Sequence, residues 1–161
     1  MTDVPGSLGK GRGLRGELRI VNRLPDGTVS PDGASIGFFG STLPRAHAVS
    51  EDGSRVFFNT GSFGGAAADG SIVYFYSDAN LTESSLTRGR PTLYRYEVES
   101  GELTDLTIAP DLPGGAWVQD TLALSVDGSH VYFSAVGDLT GEAPESPVDA
   151  NLYHWHEGEI E

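Results

Sequence analysis

His154 and His156 are the residues whose type and spacing come nearest to a metal site. They stand on either side of Trp155, and residues two apart lie on the same face of a β-strand. Two imidazoles placed in this way can bind a transition metal, but no spacing identifies a third ligand. Arg95 and Glu97 occupy the aligned places in an earlier repeat. This favours a polar strand face, with His154 and His156 as the candidate ligands, and we predict no cofactor.

Three aspartates recur, each directly before a glycine, in the pairs Asp52-Gly53, Asp69-Gly70 and Asp127-Gly128. Because the pair comes once in each predicted hairpin, the carboxylate is expected to accept local backbone N–H groups rather than to act in catalysis. The glycine tolerates the positive φ that tight turns require. The sequence has no D-x-D-x-D-G loop of the calcium-binding type. These six residues are therefore predicted to be structural turn residues.

Other chemistry is weakly represented. The sequence has no H-E-x-x-H and no P-loop, and its lack of cysteine excludes disulfides and thiolate ligands. A literal G-x-G-x-x-G at 11–16 follows a glycine-rich tail and precedes residues of β character, whereas a dinucleotide site needs a strand before it and a helix after it. Trp117 comes just after the Gly-Gly loop at 114–115; packing between blades is favoured for it, with contact to a ligand as the alternative. His47 and His130 are predicted to be structural or surface residues, and no enzyme activity is predicted.

Charge is unevenly distributed along the chain. The formal net charge is −13, from 10 Lys and Arg against 23 Asp and Glu. Five of the ten basic residues stand in the first 23 positions: Lys10, Arg12, Arg15, Arg19 and Arg23. The acidic remainder should repel phosphate backbones, so we predict no nucleic-acid partner. No apolar run approaches the roughly 18 residues of a membrane-spanning helix, and the N-terminus has no signal-peptide pattern.

The elements that position these groups repeat along the chain. Residues 123–133 read as two short strands joined at Asp-Gly, residues 48–58 are nearly the same, and 69–75 are a weaker copy. Two of these copies begin a longer repeat, and their aspartates, Asp69 and Asp127, are 58 residues apart. With one residue of slippage, Leu93-Tyr94-Arg95-Tyr96 aligns with Leu152-Tyr153-His154-Trp155. A unit is thus a hairpin, a long loop, a strand, a short turn and a strand.

The strand patterns favour an all-β fold. Residues 72–76 are apolar at every position, which predicts a strand covered on both faces. In the next strand Tyr94 and Tyr96 alternate with Arg95 and Glu97, a pattern that suits a strand nearer the outer edge. No segment has a sustained helical period. The turns at Asp52 and Asp69 are only 17 residues apart, so either one unit is shortened to a hairpin or the second copy extends the first.

The repeat resembles the blade repeat of TolB-like β-propellers. The matching sequence is Ser-x-Asp-Gly-Ser-x-Val-x-Phe, then Leu-Tyr-x-Tyr, then Ser-Gly-Glu-Leu-Thr-x-Leu-Thr. The residues at matching places are Ser50, Asp52, Gly53, Gly101, Leu106, Thr107, Ser125, Asp127 and Gly128. Glu51 and Val126 replace the usual proline, and Ala67 replaces the serine of the middle copy. The resemblance covers about residues 46–161 and implies consecutive four-stranded antiparallel blades.

This resemblance sets the expected organisation and function. We expect a flexible, basic, glycine-rich tail over 1–16 and propeller-type repeats over 17–161, in units of about 17–60, 61–115 and 116–161. Two to three blades make an incomplete ring, which predicts a fragment of a longer propeller. The resemblance implies a non-catalytic scaffold that binds another protein or further blades of its own chain, in a bacterial envelope or secreted setting. The alternatives are the gating propeller of a prolyl-oligopeptidase-like hydrolase and a carbohydrate-binding propeller.

Overall fold

The computed structural model describes residues 28, 48–55, 57, 62–108, 111–142 and 149–161. Every regular element within them is a β-strand, so the predicted all-β class is confirmed. No helix in these ranges is long and apolar enough to cross a membrane. The predicted tail over 1–16 and most of the predicted unit over 17–60 lie outside the described residues.

Eight strands form two four-stranded antiparallel sheets. The first sheet has the order β1-β2-β3-β4 and the second has the order β5-β6-β7-β8, so each is a meander of consecutive strands. The strands are β1 (Ser62–Ala66), β2 (Ile72–Ser77), β3 (Thr92–Glu97), β4 (Leu103–Asp105), β5 (Val118–Leu124), β6 (His130–Ala135), β7 (Asn151–His156) and β8 (Glu159–Ile160). The register shifts within the first strand of each sheet, in β1 and in β5.

The core lies between the two sheets. Its buried members come from both sheets: Tyr74, Leu93 and Leu106 from the first, and Ala116, Val118, Val131, Phe133, Ala135, Tyr153 and Trp155 from the second or the loop before it. A smaller cluster on the other side of the first sheet joins Phe63, Ala66 and Val73 to Ala48 and Phe57. The first sheet is therefore packed on both faces, as the apolar run over 72–76 predicts.

One tyrosine in each sheet holds the long loop that precedes its strand. The Tyr94 hydroxyl donates to the carbonyl oxygen of Ala79 at 2.8 Å and accepts the N–H of Leu81 at 3.3 Å. The same pair of bonds, at 2.8 and 3.3 Å, is made in the second sheet by Tyr153, Gly137 and Leu139. The two loops differ in sequence, yet the third strand fixes each of them through the same hydroxyl.

The Asp69 turn connects β1 and β2 of the first sheet. It does not extend the hairpin around Asp52, which packs beside it through Ala48 and Phe57. Of the two possibilities left open by the short spacing between these turns, the described residues thus favour a separate hairpin around Asp52.

Candidate functional site: a stack of turns and the open face beside it

The three predicted turns share one geometry. In each, the aspartate Oδ1 accepts the backbone N–H of the serine two residues later, and the glycine has a φ of +70°. The N–H···Oδ1 distances are 2.9 Å at Asp52, 2.9 Å at Asp69 and 3.0 Å at Asp127. The structure places Gly53, Gly70 and Gly128 at the positions that need a left-handed backbone, where a side chain is disfavoured.

The carboxylates of these turns are held in their charged form by hydrogen bonds. The backbone N–H of Ser54 and the hydroxyls of Ser50 and Ser54 lower the pKa of Asp52 to about 2. The Ser125 hydroxyl and the backbone N–H of Ser129 hold the pKa of Asp127 even further below its usual range. The donors to these two carboxylates are serines of the same turn. Their geometry thus serves the turn.

The turns stack beside one another through backbone hydrogen bonds. The N–H of Glu51, in the first turn, donates to the carbonyl oxygen of Ala68 in the second at 2.7 Å. The N–H of Ala68 in its turn donates to the carbonyl oxygen of Val126 in the third at 2.8 Å. These three residues each directly precede the aspartate of their turn. The Val126 N–H would donate the next hydrogen bond in this series, but the described residues provide no acceptor for it.

In two of the three hairpins, an aromatic side chain reaches the turn glycine of the next hairpin. The Phe57 ring lies against Gly70, where an added Cβ would approach the ring to 3.2 Å. The Tyr74 hydroxyl donates to the carbonyl oxygen of Gly128 at 2.6 Å. Tyr132 holds the same place in the third hairpin, but its side chain is 41% exposed whereas Tyr74 is fully buried. Phe57 and Tyr74 thus make this contact, and Tyr132 has no such contact within the described residues.

The faces of the two sheets can be matched residue by residue. Register places Ile72, Tyr74, Tyr76, Leu93, Arg95 and Glu97 on one face of the first sheet, which we call the covered face because the second sheet packs on it. The equivalent residues of the second sheet are His130, Tyr132, Ser134, Leu152, His154 and His156, and we call them the open face. Leu93 is fully buried whereas its equivalent Leu152 is 64% exposed. The opposite face of the second sheet lies in the core.

Three imidazoles meet on the open face. His130 and His156 are directly opposite each other in β6 and β7 and stack with ring centroids 3.9 Å apart. His130 Nδ1 and His154 Nε2 are 2.8 Å apart, so one nitrogen donates a hydrogen bond to the other. The His154 ring also stacks on Tyr132, with centroids 4.5 Å apart. The sequence singled out only two of these histidines, since His130 lies 24 residues before His154.

The described residues contain no group of three or more histidines, cysteines, aspartates or glutamates arranged to hold a metal ion. The nearest carboxylates are at the rim: Glu161 Oε2 is 3.7 Å from His154 Nδ1, and Glu157 Oε1 is 3.9 Å from His156 Nε2. Two of the imidazole nitrogens, His130 Nδ1 and His154 Nε2, are engaged in a hydrogen bond with each other. The interpretation of a polar strand face, with His154 and His156 only as candidate ligands, therefore stays a prediction.

Trp117, the predicted ligand contact, lies elsewhere, in the loop just before β5. Its backbone has a φ of +48°, unusual for a residue with a side chain. The guanidinium carbon of Arg90 sits 4.0 Å from the centroid of its ring, a cation–π distance that occupies one face of the indole. Trp117 is half-buried. The structure does not bring it together with the histidines, and its role as a ligand contact stays a prediction.

The chain matches no protein family model, no curated protein and no solved structure. The resemblance to TolB-like propellers therefore stays a prediction that depends on the repeat itself.

The sequence also contains a literal G-x-S-x-G, the pattern of a hydrolase nucleophile, at residues 33–37. Those residues lie outside the described ranges, so the absence of enzyme activity stays a prediction as well.

Proposed function

We propose that this chain is a non-catalytic protein-binding scaffold made of propeller-type blades, and that its open face binds a further sheet of the same kind. The observation that carries the proposal is the exposure of Tyr132 and Leu152, whose equivalents Tyr74 and Leu93 are fully buried under the second sheet. Covering the exposed apolar surface of Tyr132 and Leu152 would remove it from water, which favours association. A partner sheet supplies that cover.

The interface between the first and second sheets serves as the template for this docking. A sheet that docked in the same way would accept the Val126 N–H at the backbone carbonyl that precedes its turn aspartate, as Val126 itself accepts Ala68. It would accept the Tyr132 hydroxyl at its turn glycine, as Gly128 accepts Tyr74. The partner is thus a four-stranded antiparallel sheet with an Asp-Gly turn between its first two strands. It presents an apolar face like that of Val131, Phe133, Tyr153 and Trp155.

The binding can be tested with an extended chain that carries its own partner sheet. Glu161 exchanges two backbone hydrogen bonds with His154, just as Thr104 pairs with Arg95 in the first sheet. A second copy of residues 105–161 joined directly after Glu161 therefore continues the repeat in register. Docking of this copy should shift the NMR signals of the Leu152 methyl groups, because an aromatic face then covers them. It should also slow hydrogen exchange of the Val126 amide by at least about tenfold, since exchange then requires the amide to open.

A matched pair of variants separates docking from general stability. Leu152→Asp in the extended chain places a carboxylate on the open face and should leave Val126 exchanging as fast as in the native chain, because burying an unpaired charge is costly. Leu86→Asp alters another exposed apolar residue, in the loop between β2 and β3, and should leave docking intact. Unchanged Leu152 signals and unchanged Val126 exchange in the extended chain would overturn the proposal, as would equal effects of the two variants.

A further inference from the structure

The histidines of the open face have no counterpart on the covered face. His130, His154 and His156 replace Ile72, Arg95 and Glu97. In the covered face, Ile72 packs against Gly128 of the next turn, and the Arg95 guanidinium lies 5.7 Å from the Trp155 ring centroid. These are contacts in the middle of the sheet interface. By the same template, a docked sheet covers the imidazoles of His130 and His154.

The covered face holds its charges as a balanced pair. Arg95 Nη1 lies 2.6 Å from Glu97 Oε1, so the largely buried positive charge of Arg95 has a carboxylate beside it, and that carboxylate is 37% exposed. The open face has an imidazole in each of these two places. It therefore carries no charge in this row when the imidazoles are neutral, and it gains positive charge as they take up protons, with the nearest carboxylates, Glu157 and Glu161, at the exposed rim. Burying unpaired charge against an apolar partner is unfavourable.

The hydrogen bond between His130 and His154 also limits how many protons the two rings can carry together. With Nδ1 and Nε2 2.8 Å apart, one imidazole must supply a lone pair, so at least one of the two rings is neutral. A second proton would put two donors and two positive charges at this distance. Since the rings also stack on His156 and Tyr132, they cannot separate without disturbing the surface that a partner would contact.

Carboxylates lie at the edges of the open face. Glu157 and Glu161 approach His156 and His154 from the turn and from the end of the chain, and both are about 80% exposed. Glu159 pairs with His156 in β8, and Asp120 pairs with Ser134 from β5. A sheet that covers His130 and His154 would bury their imidazoles, so docking would compete with their protonation.

Given the docking proposed above, we infer that the three histidines make the open face a proton-controlled binding surface, which accepts a blade-like sheet at neutral to alkaline pH and releases it on acidification. Histidine is the side chain that ordinarily changes charge between pH 5 and 8. Each proton that docking excludes lowers the docking equilibrium constant by about tenfold per pH unit in the range where that proton binds. The open face thus both recognises a partner sheet and sets the pH range in which that sheet remains bound.

The test uses the extended chain, with the Leu152 methyl signals reporting the docked fraction from pH 8 to pH 5.5. EDTA is present throughout, so that bound metal cannot contribute. We expect the docking equilibrium constant to fall at least about tenfold over this range, by linkage to one or more excluded protons. The matched variant combines His130→Ile, His154→Arg and His156→Glu, which gives the open face the residues of the covered face. It should dock with a constant that changes by less than about twofold over the same range, because no imidazole remains on the face.

The outcomes separate this inference from the proposed function. Docking of both chains with no pH dependence would overturn the inference and leave the scaffold function standing. The same would follow if the histidine-free variant kept the pH dependence, or if docking grew stronger on acidification. Failure of both chains to dock at every pH would overturn the scaffold function itself.

Discussion

The Tyr74 hydroxyl donates a 2.6 Å hydrogen bond to the carbonyl oxygen of Gly128 and so ties the first sheet to the turn of the second. Tyr74 is fully buried and Gly128 is buried. Burial raises the pKa of Tyr74 to about 12, so the hydroxyl keeps its proton and remains a donor at all ordinary pH values. This bond places the aromatic side chain of one layer over the glycine of the next, which is the contact that recurs along the stack.

Replacing Tyr74 by phenylalanine should weaken the fold. The Gly128 carbonyl would stay buried without its donor, and a buried polar group left unsatisfied costs about 1–3 kcal/mol of unfolding free energy. Urea unfolding followed by circular dichroism measures the change. Tyr132→Phe is the matched control, because it removes the same hydroxyl at the equivalent, exposed position, and it should change the unfolding free energy by less than about 0.5 kcal/mol. Equal losses in the two variants would contradict this account of the sheet interface.

Asp127→Ala should destabilise the chain above pH 4 and lose this effect in acid. The hydrogen bonds from Ser125 and Ser129 hold the pKa of Asp127 below its usual range. For a carboxyl with a lowered folded-state pKa, the stabilisation is present above the unfolded pKa and disappears as pH falls through the folded one. The difference in urea midpoint between Asp127→Ala and the native chain should thus shrink steadily below about pH 4.

Asp69→Ala gives the comparison for this effect. Ala67 stands where the other two turns have serine, so the side-chain donor at Asp69 is Ser71 alone. Asp127 accepts hydroxyl hydrogen bonds from both Ser125 and Ser129. The loss of urea midpoint at pH 7 should therefore be smaller for Asp69→Ala than for Asp127→Ala. The reverse order would show that hydroxyl donors do not determine the strength of these turns.

The turns and the repeat could be predicted because their causes are local. An Asp-Gly pair between apolar runs specifies a tight turn through the positive φ of glycine and the carboxylate's short reach. The spacing between copies then indicates a repeated unit. The alternation of Tyr94 and Tyr96 with Arg95 and Glu97 was less informative. It suited a strand nearer the outer edge, and β3 does lie beside the edge strand β4, but it gave no sign that the second sheet covers Arg95. Arg95 pairs with Glu97 and lies over Trp155, so a charged face can be covered when its charges are paired.

The open face could not be predicted from the sequence alone. His130 is 24 residues from His154, and only the register of β6 against β7 brings their rings together. The exposure of Leu152 and Tyr132 is also invisible in the pattern, since the equivalent Leu93 and Tyr74 have the same residue types and are buried. Residue type fixes which side of a strand is apolar. Whether a second sheet covers that side depends on packing between units far apart in the chain.

Asp105→Asn should stabilise the chain at pH 7. Asp105 is buried at the end of β4, and its Oδ2 atom has no hydrogen-bond partner. Burial raises the pKa of this carboxyl above its usual value, although the N–H of Thr107 and the hydroxyls of Ser85 and Thr107 act against the shift. A raised pKa means that folding favours the protonated acid, so the carboxyl destabilises the fold increasingly as pH rises through the folded pKa.

Asparagine keeps the Oδ1 acceptor for the Thr107 N–H, which lies 2.9 Å away, and removes the charge. We expect a gain of about 1 kcal/mol at pH 7, measured by urea unfolding. The gain should vanish below about pH 4, where the native carboxyl is protonated in both states. A loss of stability at pH 7 would show that the Asp105 charge is used within the fold.

Gly115→Ala should be among the most destabilising single changes in the loop before β5. Gly115 has a φ of +69°, and an added Cβ would lie 2.7 Å from the carbonyl oxygen of Thr87. The left-handed backbone alone costs a residue with a side chain about 1–2 kcal/mol, and backbone atoms cannot move aside cheaply. We therefore expect a loss of more than about 2 kcal/mol of unfolding free energy. Gly114→Ala is the neighbouring control, because nothing lies within 4 Å of its added Cβ. If Gly114→Ala and Gly115→Ala cost the same in urea unfolding, the loops before β3 and β5 do not pack as closely as the structure shows.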